Sequence, residues 1–290
     1  TNQTNLSLSV NQVRAAKGLY QGVCKPFLIA GHQVGLVRPD VIKHLFSESQ
    51  GNMNEQIEFF KFLNYQFLLQ CFAVSVPFLN LNLMEMDRSA VCLFGIRNYG
   101  VSITGYMNHP MKGLCIWLQQ RSFTKQTWPG KWDCCVSGGL AVGFGIHETV
   151  IKEAAEEASI GEELIKNIKP AGCVSFYFES ERGLFPNTEY VYDLELPQDF
   201  VPKNADGEVE TFELLTVEEC LQRVKTPTFK TTSAPVLLDF LVRKGCINPE
   251  NERDFLYLVE LLHVPLQSIY SWPFTAERAV NGDGVEMLNN

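Results

Sequence analysis

The amino-acid sequence predicts an α/β fold, in which helices pack against a β-sheet. The segments NYGVSITGYMNHP (98–110) and GLCIWLQQRS (113–122) are rich in aromatic and β-branched residues, which favour strands. An acidic helical segment lies farther along, and its small apolar residues can seat it against a sheet. These contacts come from Ile151, Ala154, Ala155 and Ala158. Residues 234–244, APVLLDFLVRK, predict another helix, which ends at Gly245.

The composition is typical of a globular protein, because 46% of the 290 residues are apolar and 20% are charged. The formal net charge is −9 and Lys and Arg form no stripe, which argues against a nucleic-acid partner. The nine cysteines contain no C-x-x-C pair and no signal peptide is visible, so we expect reduced thiols and a cytoplasmic location. Since the first residue is Thr, the sequence leaves organelle targeting open. It also leaves the oligomeric state open.

The N-terminal third is predicted to hold a small set of local elements. Residues 1–12 are polar and we expect them to fray, and residues 13–20 predict a short helix. Phe27, Ile29, Gln33 and Val34, together with two glycines, predict a hairpin, which is followed by a helix that starts at Pro39 and ends near Phe46.

An atypical uncharged stretch follows at residues 62–84. Its length would suffice to cross a bilayer, which needs about 20 apolar residues. Its Asn and Gln side chains would be costly in lipid, and Pro77 lies near its centre, so we expect no membrane span.

The remaining elements follow in order after the acidic helix. Alternating residues at 171–178 and 189–196 predict a strand pair around the turn GLFPN (183–187). A loop DGEVETF (206–212) is expected next. Three helices should follow it, at Thr216–Val224, at 234–244 and within Asn251–Leu262. Beyond Trp272 we expect disorder.

The most informative stretch runs from Ser137 to Gly161, where a glycine-rich loop leads into the acidic helix. Glu153, Glu156 and Glu157 stand three and four residues apart, so their carboxylates project from one side of a helix. Carboxylate oxygens suit hard cations such as Mg²⁺, which also bind substrate phosphates. The loop glycines, whose backbone can approach a ligand closely, are Gly138, Gly139, Gly143 and Gly145. The pattern outlines a diphosphate site, although acidic helices also occur as solvated faces.

The same stretch resembles the Nudix box. This motif begins with a Gly, which is followed by five residues, an acid and seven further residues. It ends with R-E-U-x-E-E-x-G-U, where U is a bulky aliphatic residue. The matching positions are Gly138, Glu153, Glu156, Glu157 and Ile160. The departing positions are Phe144 for the first acid, Lys152 for Arg, Ala154 for the bulky residue and Ser159 for the late Gly. The resemblance implies an α/β/α sandwich with a mixed sheet at residues 106–250. A smaller α+β module (1–105) is expected before it, and a C-terminal helix and tail (251–290) after it.

The resemblance also implies roles for individual residues. Mg²⁺ or Mn²⁺ would be held by Glu153, Glu156 and Glu157, and Lys152 would pair with one of these glutamates. The general base would come from the box, with Glu157 or Glu153, or from Glu208 or Glu210 in the later loop. These two acids could equally be solvated loop residues. The expected substrate-binding residues are Gly138, Gly139 and Trp128.

A narrower resemblance covers residues 13–250 and concerns Nudix proteins related to thiamine pyrophosphokinase. Their N-terminal motif P-F-x-x-x-G-x-x-V-G-x-V-x-P is matched between Pro26 and Pro39, and the box form K-E-A-A-E-E-A-S-I is similar. This family implies hydrolysis of damaged thiamine diphosphates (oxo- and oxy-forms) to monophosphates. The alternatives are a phosphatase for nucleoside diphosphates such as 8-oxo-dGDP and a catalytically silent binding module.

Aromatic side chains could stack on the ring of a substrate, or belong to the core. They are Trp117, Trp128, Trp132, Phe176, Tyr177 and Tyr190. Cys134 and Cys135 lie where the related isopentenyl diphosphate isomerase has a catalytic Cys, but no His follows them, so we interpret them as core residues. His147, alone on its loop, is interpreted as a solvated or capping residue.

Overall fold

The computed structural model describes residues 24–29, 32–48, 71–76, 81–87, 90–141 and 143–270. The predictions for residues 1–12 and 13–20, residues 62–70 and 77–80 of the uncharged stretch, and the segment beyond Trp272 lie outside these ranges.

The N-terminal elements are a strand pair, a helix and a second strand pair. They are β1 (Lys25–Ile29), β2 (His32–Val37), α1 (Pro39–Glu48), β3 (Cys71–Val76) and β4 (Leu81–Asp87). β1 and β2 pair antiparallel, which confirms the predicted hairpin, and α1 begins at the predicted Pro39. β3 and β4 also pair antiparallel, so part of the uncharged stretch forms strands. Within the described ranges, no helix is both long and apolar enough to cross a membrane.

A seven-stranded mixed sheet forms the centre of the fold. Its strands are β5 (Asn98–His109), β6 (Gly113–Arg121), β7 (Trp132–Cys134), β8 (Val136–Gly139), β9 (Lys169–Ser180), β10 (Gly183–Glu195) and β11 (Val209–Thr216). The main order is β11-β6-β5-β10-β9, with β7 paired to β6 and β8 paired to β5. β10 runs parallel to β5 while the other pairs are antiparallel, which confirms the predicted mixed sheet.

Helices cover both faces of this sheet, which confirms the α/β class. They are α2 (Ile146–Ala158), α3 (Glu162–Ile165), α4 (Val217–Val224), α5 (Ala234–Arg243), α6 (Phe255–Leu262) and α7 (Leu266–Ile269). Ala154 and Ala158 of α2 are fully buried against one face, with Val101, Ile103 and other sheet residues. The predicted contact from Ala155 is wrong, because that residue is exposed. The other face carries α4, α5 and α6 around a second core.

Two predicted loops turn out to contain strand. The turn between β9 and β10 is formed by Glu181 and Arg182, so the prediction of a turn at GLFPN is wrong and this segment opens β10. Pro186 is tolerated there because β10 begins to pair with β5 only at Asn187. The predicted loop 206–212 ends at Glu208, since β11 starts at Val209 and pairs with β6.

The domain division predicted near residue 105 falls inside β5, whose earlier residues already pair with β8 and β10. The hairpin β1–β2 contacts the end of the sheet region. Leu36 N donates to Phe94 O (2.9 Å), and Arg38 Nη1 donates to Glu179 Oε1 (3.1 Å) and Ser180 O (2.9 Å). At the other end, α6 packs into the same core as α5 through Leu258 and Leu262.

Candidate active site on the acidic helix

The two ends of α2 fix the direction in which its acidic side chains point. At the start, the Glu148 carboxylate accepts from Gly145 N (2.8 Å), which satisfies a helix N–H that would otherwise lack a partner. At the end, Ser159 has φ 53°, in the left-handed region that favours Gly. The box pattern has Gly at this position, so the departure places a strained residue at the helix end. Ser159 Oγ donates to Lys203 O (2.7 Å), which anchors it.

Glu157 is the buried carboxylate of the helix, with 2% of its surface exposed. Its Oε2 accepts two hydrogen bonds, from Ser137 N (2.8 Å) and from Gln119 Nε2 (3.1 Å). Burial raises the pKa of Glu157 to about 8, and the negative charges of Asp133 and Glu153 contribute to this rise. The hydrogen bonds from Ser137 and Gln119 act in the opposite direction and lower the pKa. The site therefore disfavours the negative charge unless a cation offsets it.

Glu153 lies one turn earlier and packs over the glycine-rich strand β8. A Cβ added at Gly138 would lie 2.2 Å from Glu153 Cδ, so only Gly leaves room for this carboxyl group. Burial raises the pKa of Glu153, and the negative charges of Glu156 and Glu208 raise it further. The positive charge of Lys152 lowers this pKa and opposes the rise. Gly138 thus positions Glu153 directly, a function that the sequence analysis did not assign to it.

Lys152 bridges the outer part of the acidic group. Its Nζ lies 2.7 Å from Glu156 Oε2 and 3.4 Å from Glu153 Oε1. The predicted pairing of Lys152 with a box glutamate is therefore present. Glu156 is more exposed than the other two glutamates, since 45% of its side chain is accessible, against 16% for Glu153.

The donor set fits a hard divalent cation. Among the described residues, no three His, Cys, Asp or Glu side chains converge closely enough to hold a metal by themselves. Mg²⁺ needs fewer protein ligands than three, because it is commonly bound by one or two carboxylates together with water and substrate phosphates. Glu157 and Glu153 supply such a pair four residues apart, and neither hydrogen bond to Glu157 uses its Oε1. A cation beside Glu157 would also offset the cost of its buried charge.

The two acids of the later segment differ in position. Glu208 lies near Glu153, because its charge contributes to the raised pKa of that residue, and it forms an ion pair with Lys125. Ser122 N also donates to Glu208 O (2.8 Å), which ties the β6–β7 loop to this residue. Glu210 is exposed on β11, where the register with β6 shifts between Val209 and Thr211.

The structure separates the aromatic candidates into core and accessible residues. Four are buried in the core: Trp117, Trp132, Phe176 and Tyr177. Trp128 and Tyr190 are partly exposed, and Trp128 has a φ of 54°, which is unusual for a bulky residue. The sequence analysis missed Phe123 and Phe144, which are 65% and 48% exposed on loops on either side of β7 and β8.

A second buried carboxylate, Asp133, was also missed. Its Oδ2 accepts from Lys230 Nζ (2.7 Å) and Arg121 Nη1 (3.2 Å), and its Oδ1 accepts from Ser233 Oγ (2.5 Å) and Cys134 N (2.8 Å). Burial alone would raise the pKa of Asp133, but the two cations and the hydrogen bonds outweigh it and lower the pKa. A charged residue within the strand WDCC was the only sequence signal for this network.

The remaining predicted residues take ordinary positions. Gly138 and Gly139 of β8 pair with Val101 and Gly100 of β5. Cys134 and Cys135 are buried, and burial raises the pKa of the Cys135 thiol to about 12, which supports their interpretation as core residues. His147 is exposed on the first turn of α2.

The part of the chain that holds these residues is similar to known proteins. Residues 98–240 match the model of the NUDIX domain, and the match starts at the first residue of β5. The chain is 40% identical over 191 residues to the uncharacterized protein YJR142W of Saccharomyces cerevisiae, which covers 61% of this chain and 56% of that protein. It is 40% identical over 169 residues to Nudix hydrolase 24, chloroplastic, of Arabidopsis thaliana, which covers 58% of this chain and 46% of that protein. The chain thus spans about half the length of the curated relatives it matches.

Among solved structures, the NUDIX domain of Shewanella oneidensis NrtR, complexed with ADP ribose, is 15% identical with a TM-score of 0.42. The match covers 52% of this chain and 90% of that chain. This likeness adds nothing to the family match.

Proposed function

We propose that this chain is a divalent-metal-dependent hydrolase, because its residues 98–240 match the model of the NUDIX domain. Its substrate would be a small-molecule diphosphate, cleaved to a monophosphate plus phosphate. The observation that carries the proposal is Glu157, a buried carboxylate whose pKa is raised to about 8 one helical turn from Glu153. A buried carboxyl group that, like Glu157, accepts no hydrogen bond from a cationic side chain among the described residues does not stabilise a fold, since an unpaired buried charge is destabilising.

We assign the cation to Glu153, Glu156 and Glu157. Mg²⁺ or Mn²⁺ bound there would supply positive charge that offsets the charge of the phosphate oxygens. Lys152 holds Glu156 and Glu153 in place, and Gly138 leaves the space that Glu153 occupies. The backbone of Gly138 and Gly139 and the partly exposed ring of Trp128 are assigned to substrate contact.

Glu208 is the base that we favour for activating the attacking water, with Glu210 as the alternative. Glu208 lies near Glu153, and its ion pair with Lys125 keeps its carboxylate in one position. A base must lie within hydrogen-bond reach of the water that it deprotonates. Glu210 is exposed on β11, so the observations that link it to the acidic helix are fewer.

The activity is tested by phosphate release from a panel of diphosphates, with Mg²⁺, with Mn²⁺ and with EDTA. We expect release with either metal, no release with EDTA, and recovery when the metal is restored. A chain that binds the panel compounds without releasing phosphate would instead be a binding module.

For the substrate, we propose a damaged thiamine diphosphate, on the resemblance of the segment Pro26–Pro39 and of the box to thiamine-pyrophosphokinase-related proteins. The carboxylates act on the diphosphate alone, so selection must come from the walls of the pocket. The aromatic residues left accessible for stacking on a ring are Trp128, Tyr190, Phe123 and Phe144.

A side-by-side assay of oxothiamine diphosphate, thiamine diphosphate and 8-oxo-dGDP tests this assignment. We expect the highest kcat/KM with oxothiamine diphosphate. If 8-oxo-dGDP is cleaved tenfold better, which is about 1.4 kcal/mol in the barrier, the nucleotide assignment replaces the thiamine one.

A further inference from the structure

Gln119 is a buried polar residue near the end of β6, directly after the apolar run Cys115–Leu118. Only 1% of its surface is exposed, and its strand neighbours Trp117 and Leu118 belong to two hydrophobic cores. Gln119 pairs with Asp133 across β6 and β7, and its amide reaches Glu157 on α2. The residue therefore lies at the place where the sheet meets the acidic helix.

The amide of Gln119 makes one hydrogen bond, and it goes to Glu157. Gln119 Nε2 donates to Glu157 Oε2 (3.1 Å), while Gln119 Oε1 is buried and accepts no hydrogen bond from any residue in the described part of the chain. A buried acceptor without a partner costs free energy. A side chain kept only for stability would be replaced with advantage by an apolar residue of the same size.

The hydrogen bond has a direct geometric consequence for Glu157. Gln119 Nε2 and Ser137 N both donate to Oε2, so they approach one carboxylate oxygen from a strand and from the glycine-rich segment. Two donors on one oxygen fix the rotation of the carboxyl group. They leave Oε1, which accepts neither bond, as the oxygen available to a cation.

We infer that Gln119 is a positioning residue, which orients the Glu157 carboxylate so that its Oε1 faces the divalent cation. This inference rests on the proposed function and adds a residue outside the box to it. Residues that hydrogen-bond to metal ligands orient those ligands, and their loss commonly weakens metal affinity 10- to 100-fold.

The chain contains a matched control one residue away. Gln120 lies on the same strand, but its Nε2 donates to Gly130 O (3.1 Å) in the β6–β7 loop. Gln119→Met and Gln120→Met remove the same amide and keep a similar volume. A second variant, Gln119→Leu, guards against an effect specific to methionine.

The experiment measures Mn²⁺ binding by electron paramagnetic resonance, phosphate release with its kcat and KM, and the thermal midpoint without metal. For Gln119→Met we expect Mn²⁺ affinity about 10-fold weaker and kcat lowered by about 10- to 100-fold. We expect its KM for the diphosphate to stay within about twofold of wild type and its thermal midpoint to be unchanged or higher, because a buried unpaired acceptor is removed. Gln120→Met should bind Mn²⁺ and turn over as the wild type does.

Either of two outcomes would overturn this inference and leave the proposed function standing. Either Gln119→Met binds Mn²⁺ and turns over as the wild type does, or its losses merely follow a thermal midpoint lowered well below that of Gln120→Met. In both cases the wild type still binds Mn²⁺ and releases phosphate. If the wild type does neither, the proposed function fails and this inference fails with it.

Discussion

Glu157 on α2 and Asp133 on β7 are both buried carboxylates, but their surroundings are opposite. Asp133 accepts hydrogen bonds from two cationic side chains, Lys230 and Arg121, and its pKa is lowered. Glu157 accepts only from a backbone N–H and a neutral amide, and its pKa is raised to about 8. The two charges are close enough that Asp133 contributes to the raised pKa of Glu157.

The difference separates a charge that the fold neutralises from a carboxyl group that we propose to be functional. Asp133 has its counter-ions within the chain, so it joins β7 to β6 and to the segment before α5. Within the described residues, Glu157 accepts no hydrogen bond from a cationic side chain, so its ionised form is disfavoured unless a bound cation offsets the charge. A raised pKa in a cleft is a common property of functional carboxyl groups, whereas a saturated buried ion pair belongs to the fold.

The largest expected effect is on stability, at Asp133. Asp133→Asn keeps the volume but leaves Arg121 and Lys230 beside a neutral amide, so we expect a loss of about 3–5 kcal/mol in the free energy of unfolding. Urea unfolding measures it. The matched control is Glu213→Gln, which breaks the more exposed pair with Arg223 and should cost no more than about 1 kcal/mol. Equal losses in the two variants would show that Asp133 is not a special structural charge.

The next effect is on activity, at Glu157. Glu157→Gln keeps the shape and both cores but weakens cation binding, so we expect phosphate release to fall by about 100-fold or more, about 2.7 kcal/mol. The free energy of unfolding without metal should be unchanged or higher, because a desolvated charge is removed. Glu163→Gln on the exposed start of α3 is the control and should leave both quantities unchanged. Full activity in Glu157→Gln would remove Glu157 from the site.

The comparison also predicts how stability changes with pH. Because folding lowers the pKa of Asp133, its contribution is present above the unfolded value, taken as 3.8, and is lost as the pH falls through the folded value. We expect the thermal midpoint of the wild type to drop below about pH 4, and the drop to be smaller in Asp133→Asn. Thermal unfolding from pH 2 to 7 on both proteins measures the difference. Parallel curves would mean that Asp133 binds protons equally in both states.

The smallest effect concerns the backbone just after Glu157. Ser159 has φ 53°, a conformation that costs an L-residue roughly 1 kcal/mol relative to Gly. We expect Ser159→Gly to be about 1 kcal/mol more stable than Ser159→Ala, because both variants lose the hydrogen bond to Lys203 O and only Ala keeps the strain. Thermal or urea unfolding of the two variants provides the measurement. If Ser159→Ala is as stable as Ser159→Gly, the helix end is not under strain.

The local sequence pattern predicted much of the fold, and it failed where pairing with a neighbouring strand decided the structure. The strands of residues 98–122 and the helices Thr216–Val224 and 234–244 follow from composition and capping residues, and each is present. The GLFPN segment reads locally as a turn, yet its pairing with β9 makes it strand. Likewise Glu210, expected in a loop, lies on β11 because that segment pairs with β6.

The same division holds for the site. The spacing of Glu153, Glu156 and Glu157 requires only helix geometry, so the sequence alone placed them on one helix with Lys152 among them. The difference in their burial, with Glu157 buried and Glu156 partly exposed, depends on how α2 lies on the sheet.

The sequence by itself determined the α/β class and the acidic helix with its three glutamates, because these follow from periodicities of a few residues. Only the tertiary structure decided that Gln119 bonds to Glu157, 38 residues later, and that Asp133 meets Lys230, 97 residues later. Such contacts have no local pattern, since they arise when the sheet brings distant segments together. The physical reason is that burial and pairing set the pKa of a carboxyl group, and both are properties of the folded chain.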